Sequence, residues 1–267
     1  MNDKTKYQIM KNREFLKGYH GGDAGAEQTD QEQKLPGISS LKKKQGVRTI
    51  ALPAEFDKLG ISGDIWDLIM RRESCRKYAP EALTLPELSF LLWATQGIRK
   101  IAGHKNPVTF RSVPSAGSRH PLETYLFVNH VEGLRRGAYH YLPGEHALEA
   151  WDVEDDYDAQ LTRALCGQHF AASAPVLFVW SALPYRTEWR YGLKAAKYIL
   201  LDAGHMCQNL YLAGEAIGCG VCALGAYDQD YMDEILGFAP GPSDNPLYEC
   251  TVYAASVGIN QRDENGA

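Results

Sequence analysis

The 267-residue sequence contains no apolar run of the roughly 18 residues that a membrane helix requires. Its first stretch, MNDKTKYQIMKNREFLKG, is charged and lacks an uninterrupted apolar core, so no secretory signal is visible. Positive charge is not in excess. The 28 Lys and Arg stand against 33 Asp and Glu, a net charge of −5, which argues against the broad basic face that nucleic-acid binding needs. Cysteine is sparse, and the six present (75, 166, 207, 219, 222, 250) are scattered rather than framing a small scaffold. Without an export signal they are expected to stay reduced in the cytoplasm. The eight histidines show no H-E-x-x-H or comparable spacing, so no metal site is expected. A G-x-S-x-G elbow, a Walker loop and internal repeats are also missing.

The residues that are present describe a globular chain. A hydrophobic fraction of 45% with 23% charged residues is that of a protein with a sizeable core, in one ordinary domain or two small ones. Residues 1–50 are the least regular part: YHGGDAGAEQTDQEQKLPG is polar and Gly-rich, and LKKKQG reads as a solvated basic patch. This segment is expected to be an extended arm that wraps a surface or is partly mobile, with residues 51–267 forming the domain proper. SGDIWDLIMRR reads as a helix capped by Ser62, with Ile65, Leu68 and Ile69 at helical spacing. TLPELSFLLWATQG follows, with a Thr84–Glu87 capping box, Pro86 in the first turn and Gly97 at the end. ETYLFVNHV predicts a strand, GAYHYLPGEHALEAW a hairpin, SAPVLFVWSAL a buried central strand and YECTVYAASVG a closing strand. GLKAAKYILLDAGHMCQNLYLAGEAIG predicts a long helix with small residues for close packing. Helices and strands mix without βαβ alternation, which argues for an α+β fold with antiparallel sheet.

Four cations, Arg71, Arg72, Arg76 and Lys77, crowd around Ser74 in this acidic chain. They could form a nucleic-acid patch, a solvated helix end or a seat for one anion. A helix dipole needs one or two positive charges at its C-terminus, not four. GCGVCALGAYD offers two decoys. Gly218, Gly220 and Ala223 fit a loose dinucleotide fingerprint, but a long helix precedes them where a strand is required. Cys219 and Cys222 form a single C-x-x-C, too few ligands for zinc and wrongly placed for a thioredoxin-like pair. Pro114, Ser115, Ala116, Gly117 and Ser118 are small residues fed straight into a strand. They are either a plain loop or a surface that lets a flat ligand approach the backbone. Lys197, beside Tyr198 in the long helix, either snorkels outward or sits in a cleft.

Taken in order, RESCRKY with ALTLPELSFLLWATQGI, PSAGSRHPLETYLF, GAYHYLPGEHALE, HMCQNLYLAGEAIGCG and LGAYD closely resemble the nitroreductase superfamily. The likeness covers roughly residues 50–258 and is greatest to the SagB-type dehydrogenase and azoline-oxidase branch. It implies an α+β fold with a central, mainly antiparallel sheet flanked by helices, in an intertwined homodimer with FMN at the subunit interface. By that resemblance Arg72, Ser74 and Arg76 hold the FMN phosphate, ribityl chain and pyrimidine edge, a role suited to paired arginines. Glu73 replaces the family's usual Arg or His, so its side chain is expected to point away. Pro114–Ser118 correspond to the segment that reaches FMN from the neighbouring subunit, and Leu224 and Gly225 to the turn beside flavin N5 and O4. Gln168 matches a Gln before the APV strand. The family's C-terminal basic pair has no clear match, only Arg262 remaining after SVGINQ. Lys197 and Tyr198 match an acid/base pair of azoline oxidases. Three functions are therefore in view: a dehydrogenase of heterocycles or peptides working by a ping-pong cycle, an NAD(P)H-dependent nitro or quinone reductase, and a non-catalytic flavin-binding protein.

Overall fold

The computed structural model describes residues 1–16, 28–45, 48–61, 63–103, 108–154 and 156–261. In chain order the elements are α1 (Asp3–Glu14), β1 (Thr49–Ala51), α2 (Ile65–Arg71), α3 (Leu85–Gln96), β2 (Ile98–Ala102), β3 (Val108–Arg111), β4 (Leu122–Val128), β5 (Gly137–Leu142) and β6 (Ala147–Trp151). There follow α4 (Asp158–Ala164), α5 (His169–Ala172), β7 (Val176–Ala182), α6 (Tyr185–Tyr191), α7 (Ala195–Ala216), β8 (Cys219–Leu224), α8 (Gln229–Ile235) and β9 (Cys250–Ile259).

Seven strands form one sheet in the order β1-β6-β5-β4-β7-β9-β8, and every pairing between them is antiparallel. Side chains alternate across a strand, so each inner strand feeds two layers. Leu126, Val128, Phe178 and Trp180 face one way, packing with Leu88 and Leu91 of α3 and Met206 and Leu210 of α7. Tyr125, Phe127, Leu177 and Val179 face the other, against Leu161 of α4 and Met232 of α8. Burial on both faces explains the unbroken apolar run of β7. The fold is α+β, helix–sheet–helix, with the β2–β3 hairpin outside the main sheet.

Thr84 caps α3 through the complete capping box with Glu87, and Gly97 ends it. Ser62 lies outside the described residues, and the α2 cap is Asp64, whose Oδ1 accepts from the Trp66 amide at 2.8 Å. Asn2 starts α1, a helix the polar N-terminal composition did not announce. Residues 28–45 then run against α6 and the sheet. Trp189 Nε1 donates to the Leu35 carbonyl at 2.8 Å, Arg186 Nε to Ser39 at 2.7 Å, and Arg111 Nη2 to Ser40 at 2.7 Å. Lys42 Nζ pairs with Glu249. β1 pairs with β6, so residue 50 lies within a strand of the main sheet.

Candidate functional site

The cationic segment leaves α2 and runs alongside β8. Ser74 bridges Val221, and the Cys75 amide donates to the Val221 carbonyl at 2.9 Å. Gly220 permits this approach, since a Cβ there would fall 2.5 Å from Cys75 Sγ. Tyr211 of α7 ties the two together. Its hydroxyl shares a hydrogen bond with Ser74 Oγ at 2.9 Å and accepts from the Ala223 amide at 2.8 Å. The Arg72 guanidinium lies over the Tyr211 ring, 5.2 Å from its centroid. Glu73, Ser74 and Arg76 are exposed, and among the described residues neither Arg72 nor Arg76 has a carboxylate partner. β8 ends at Leu224, and Gln168 holds the turn beyond it by donating to the Ala226 carbonyl at 2.7 Å. Gly225 stands in that turn with open space where a Cβ would be. The structure thus brings Arg72 and Ser74 beside β8 through Tyr211, and Gln168 beside the turn that holds Gly225.

Pro114–Ser118 lie elsewhere. Their loop enters β4 through three left-handed positions, Gly117, Ser118 and His120, at φ 56°, 53° and 46°. Ser115 Oγ donates to Asp202 Oδ2 at 2.6 Å, and the Ala116 amide donates to Oδ1 at 3.3 Å. Burial pushes the Asp202 carboxyl above its ordinary range, opposed by those two donors and by His205. Gly117 is pressed against α6, where a Cβ would come 2.6 Å from Tyr191 Oη. The Tyr198 ring meets Tyr191 edge-on at 4.8 Å, and Lys197 Nζ donates to the Leu16 carbonyl at 2.7 Å. Lys197 and Tyr198 therefore share an end of α7 with the loop.

Within one chain the two groups do not meet. Asp202 and Tyr211 are separated by about 13 Å of helix rise, and Tyr198 and Tyr211 by about 20 Å. Sequence reasoning missed both anchors. Asp202 carried a faint signal as the one carboxylate between Lys197 and Glu215 in an apolar helix, whereas Tyr211 looks like any amphipathic position. The C-x-x-C lies inside β8 with both thiols buried, and burial pushes Cys219 up to about 12 and raises Cys222, which suits inert core residues. Arg262 lies outside the described residues. Among the described residues no His, Cys, Asp and Glu cluster could hold a metal ion, and no helix is long and apolar enough to cross a membrane.

Residues 69–255 match the sequence model of the nitroreductase family. The chain belongs to the nitroreductase family. A predicted nitroreductase of Methanocaldococcus jannaschii is 35% identical over 170 residues, 64% of this chain and 82% of that protein. This nitroreductase-family chain also has SagB-like relatives. The microcin B17-processing protein McbC of Escherichia coli is 28% identical over 46% of each chain. The trifolitoxin-processing protein TfxB of Rhizobium leguminosarum is 26% identical over 49% of this chain and 36% of its own. The match thus spans less than half of either processing protein. Among solved structures, a predicted nitroreductase from Anabaena variabilis superposes with a TM-score of 0.70 at 20% identity, covering 94% of this chain and 46% of that one. The E. coli microcin synthetase McbBCD complex with truncated pro-MccB17 bound has a chain that superposes at 0.57 and 18% identity, covering 98% and 95%. At these identities the likeness is one of fold. Family membership makes the chain an oxidoreductase enzyme.

Proposed function

We propose that the chain is an FMN-dependent oxidoreductase of the SagB-type dehydrogenase kind, active as a homodimer with flavin at the subunit interface. The observation that carries this reading is the division of the expected flavin contacts between the two ends of α7. No single ring can touch both groups in one chain, but two chains packed about a twofold axis could bring one end of each together. The exposed apolar side chains fit such a partner: Ile65, Trp66 and Ile69 of α2, Leu193 before α7, and Leu200 and Leu201 on it.

The residues present suit the cofactor. Arg72, Ser74 and Arg76 offer charge-assisted and hydroxyl donors that a phosphate and a ribityl chain require. The open space beside Gly225 lets a planar ring approach the backbone of that turn, which Gln168 fixes. Glu73 is exposed, which leaves its side chain free to turn away from the anion. When bound, FMN supplies a ring that takes up and returns hydride at N5, the basis of a ping-pong cycle. Pro114–Ser118 would close the site from the paired chain, with Lys197 and Tyr198 as the proton-handling pair for a heterocycle or peptide substrate. Residues 1–50, as the arm, and 51–267, as the flavin-binding domain, complete the reading.

A second reading, an NAD(P)H-dependent nitro or quinone reductase, is favoured by the 35% identity to the archaeal predicted nitroreductase. Extraction of the purified protein tests the first point: the expected result is yellow dimeric protein that releases FMN and not FAD. Colourless protein that cannot be reconstituted would overturn both readings. Anaerobic bleaching by NADH or NADPH selects the reductase, and its absence the dehydrogenase.

A further inference from the structure

We propose that Asp202 is the positioning residue for the Pro114–Ser118 loop, holding Ser115 and Ala116 where the loop reaches the flavin of the paired chain. The proposal rests on the homodimer reading above. Both Asp202 oxygens are engaged, Oδ2 by the Ser115 hydroxyl at 2.6 Å and Oδ1 by the Ala116 amide at 3.3 Å. Ser115 Oγ passes the constraint on, because it accepts from the His120 amide at 2.9 Å. This chain of bonds spans the three left-handed positions, Gly117, Ser118 and His120. Two of those carry side chains, and such residues keep that conformation only when their surroundings over-determine it.

The anchor itself is rigid. Asp202 is 5% exposed in the 22-residue α7, and the neighbouring Ala203 and Met206 are core residues packed under the sheet. Behind the loop, Ser115, His120, Asp202 and Met206 line a space of about 10 Å³, enough for one water at most. The loop therefore has no room to settle inward and satisfy its donors elsewhere. A carboxylate kept in a site that disfavours its charge fits an assignment beyond simple packing.

The test compares Asp202→Ala, Ser115→Ala, the double variant and Asp202→Asn with the unaltered protein. FMN dissociation constants come from fluorescence titration, and backbone protection of residues 114–120 from hydrogen exchange of the apoprotein. Each alanine variant should weaken FMN by roughly tenfold or more, and the double variant should be no worse than the weaker single one. Asp202→Asn should recover part of the affinity, since its carbonyl can still accept from Ala116. Wild-type affinity in Asp202→Ala, or losses that multiply in the double variant, would overturn the proposal. If Asp202→Ala does not fold, Ser115→Ala and Asp202→Asn carry the comparison. If the unaltered protein binds no FMN, the homodimer flavin reading fails instead. Hydrogen exchange then decides alone: faster exchange at 114–120 in Ser115→Ala supports the clamp, and unchanged protection refutes it.

Discussion

A single hydroxyl separates tyrosine from phenylalanine, and at position 211 that hydroxyl serves two partners. Tyr211→Phe would leave the Ser74 hydroxyl and the Ala223 amide without their shared partner while keeping the ring beneath Arg72. One or two hydrogen bonds of this kind are worth about 1 kcal/mol each. FMN affinity should therefore fall by roughly five- to thirtyfold, with a melting temperature lower by a few degrees, as fluorescence titration beside a melting curve would read. Lys197 poses a sharper question, because its ammonium reaches the Leu16 carbonyl of the N-terminal segment. If it handles the substrate proton, Lys197→Ala abolishes proton-coupled oxidation yet retains bound FMN at full stoichiometry. Unaltered turnover in that variant would reduce the lysine to a tether for residue 16.

Among the elements, the N-terminal segment departs furthest from what composition suggests. Residues 39–45 are polar on their own, yet they supply acceptors to the buried guanidiniums of Arg186 and Arg111 and an ammonium to the buried Glu249. Removing one member of a buried ion pair strands the other, at a cost of about 3–5 kcal/mol. Lys42→Met should accordingly lower the denaturation midpoint strongly, and Lys42→Met combined with Glu249→Gln should recover part of the loss. Chemical denaturation of both variants checks this. Local chemistry made other elements legible: the Thr84–Glu87 box and Gly97 bounded α3, the Pro-Gly turn marked the β5–β6 hairpin, and unbroken hydrophobicity marked β7. The motif around Ser74 and the turn after β8 were expected to share one site, and the structure runs Ser74 alongside Val221 of β8. The partners that fix those motifs were not legible. Asp202 and Tyr211 act through side chains 86 or more residues distant in sequence from Ala116 and Ser74, and nothing local records such a meeting. Short helices such as α5 exist only because the sheet face above them needs covering.

For the molecule as a whole, pH and symmetry provide the remaining tests. Burial and neighbouring arginines lower His120 to about 3, so it is neutral when folded and takes up its proton on unfolding. Its contribution is intact above pH 6.5 and is lost as pH falls from there toward 3. Glu123 is lowered to about 2: burial alone would raise it, but Arg186 and His140 outweigh that effect, so its contribution is lost below about pH 4.5. Folding stability should decline in two overlapping stages on the acid side, and His120→Asn, which tolerates the left-handed backbone, should weaken the upper one, to which His146, also lowered by burial, contributes. Symmetry makes the stronger demand. If each flavin is held by Arg72 of one chain and by Pro114–Ser118 of the other, defects in different halves must complement. Arg72→Glu destroys the phosphate side, while Gly117→Trp blocks the loop side, where even a Cβ meets Tyr191. Homodimers of either variant have no intact site, but a mixed dimer has one whole site and one with both defects. After subunit exchange at equal concentrations, about a quarter of all sites should bind FMN and turn over. A mixture no better than its components would mean that each chain builds its site alone, and the loop at Asp202 would have to serve something other than the flavin.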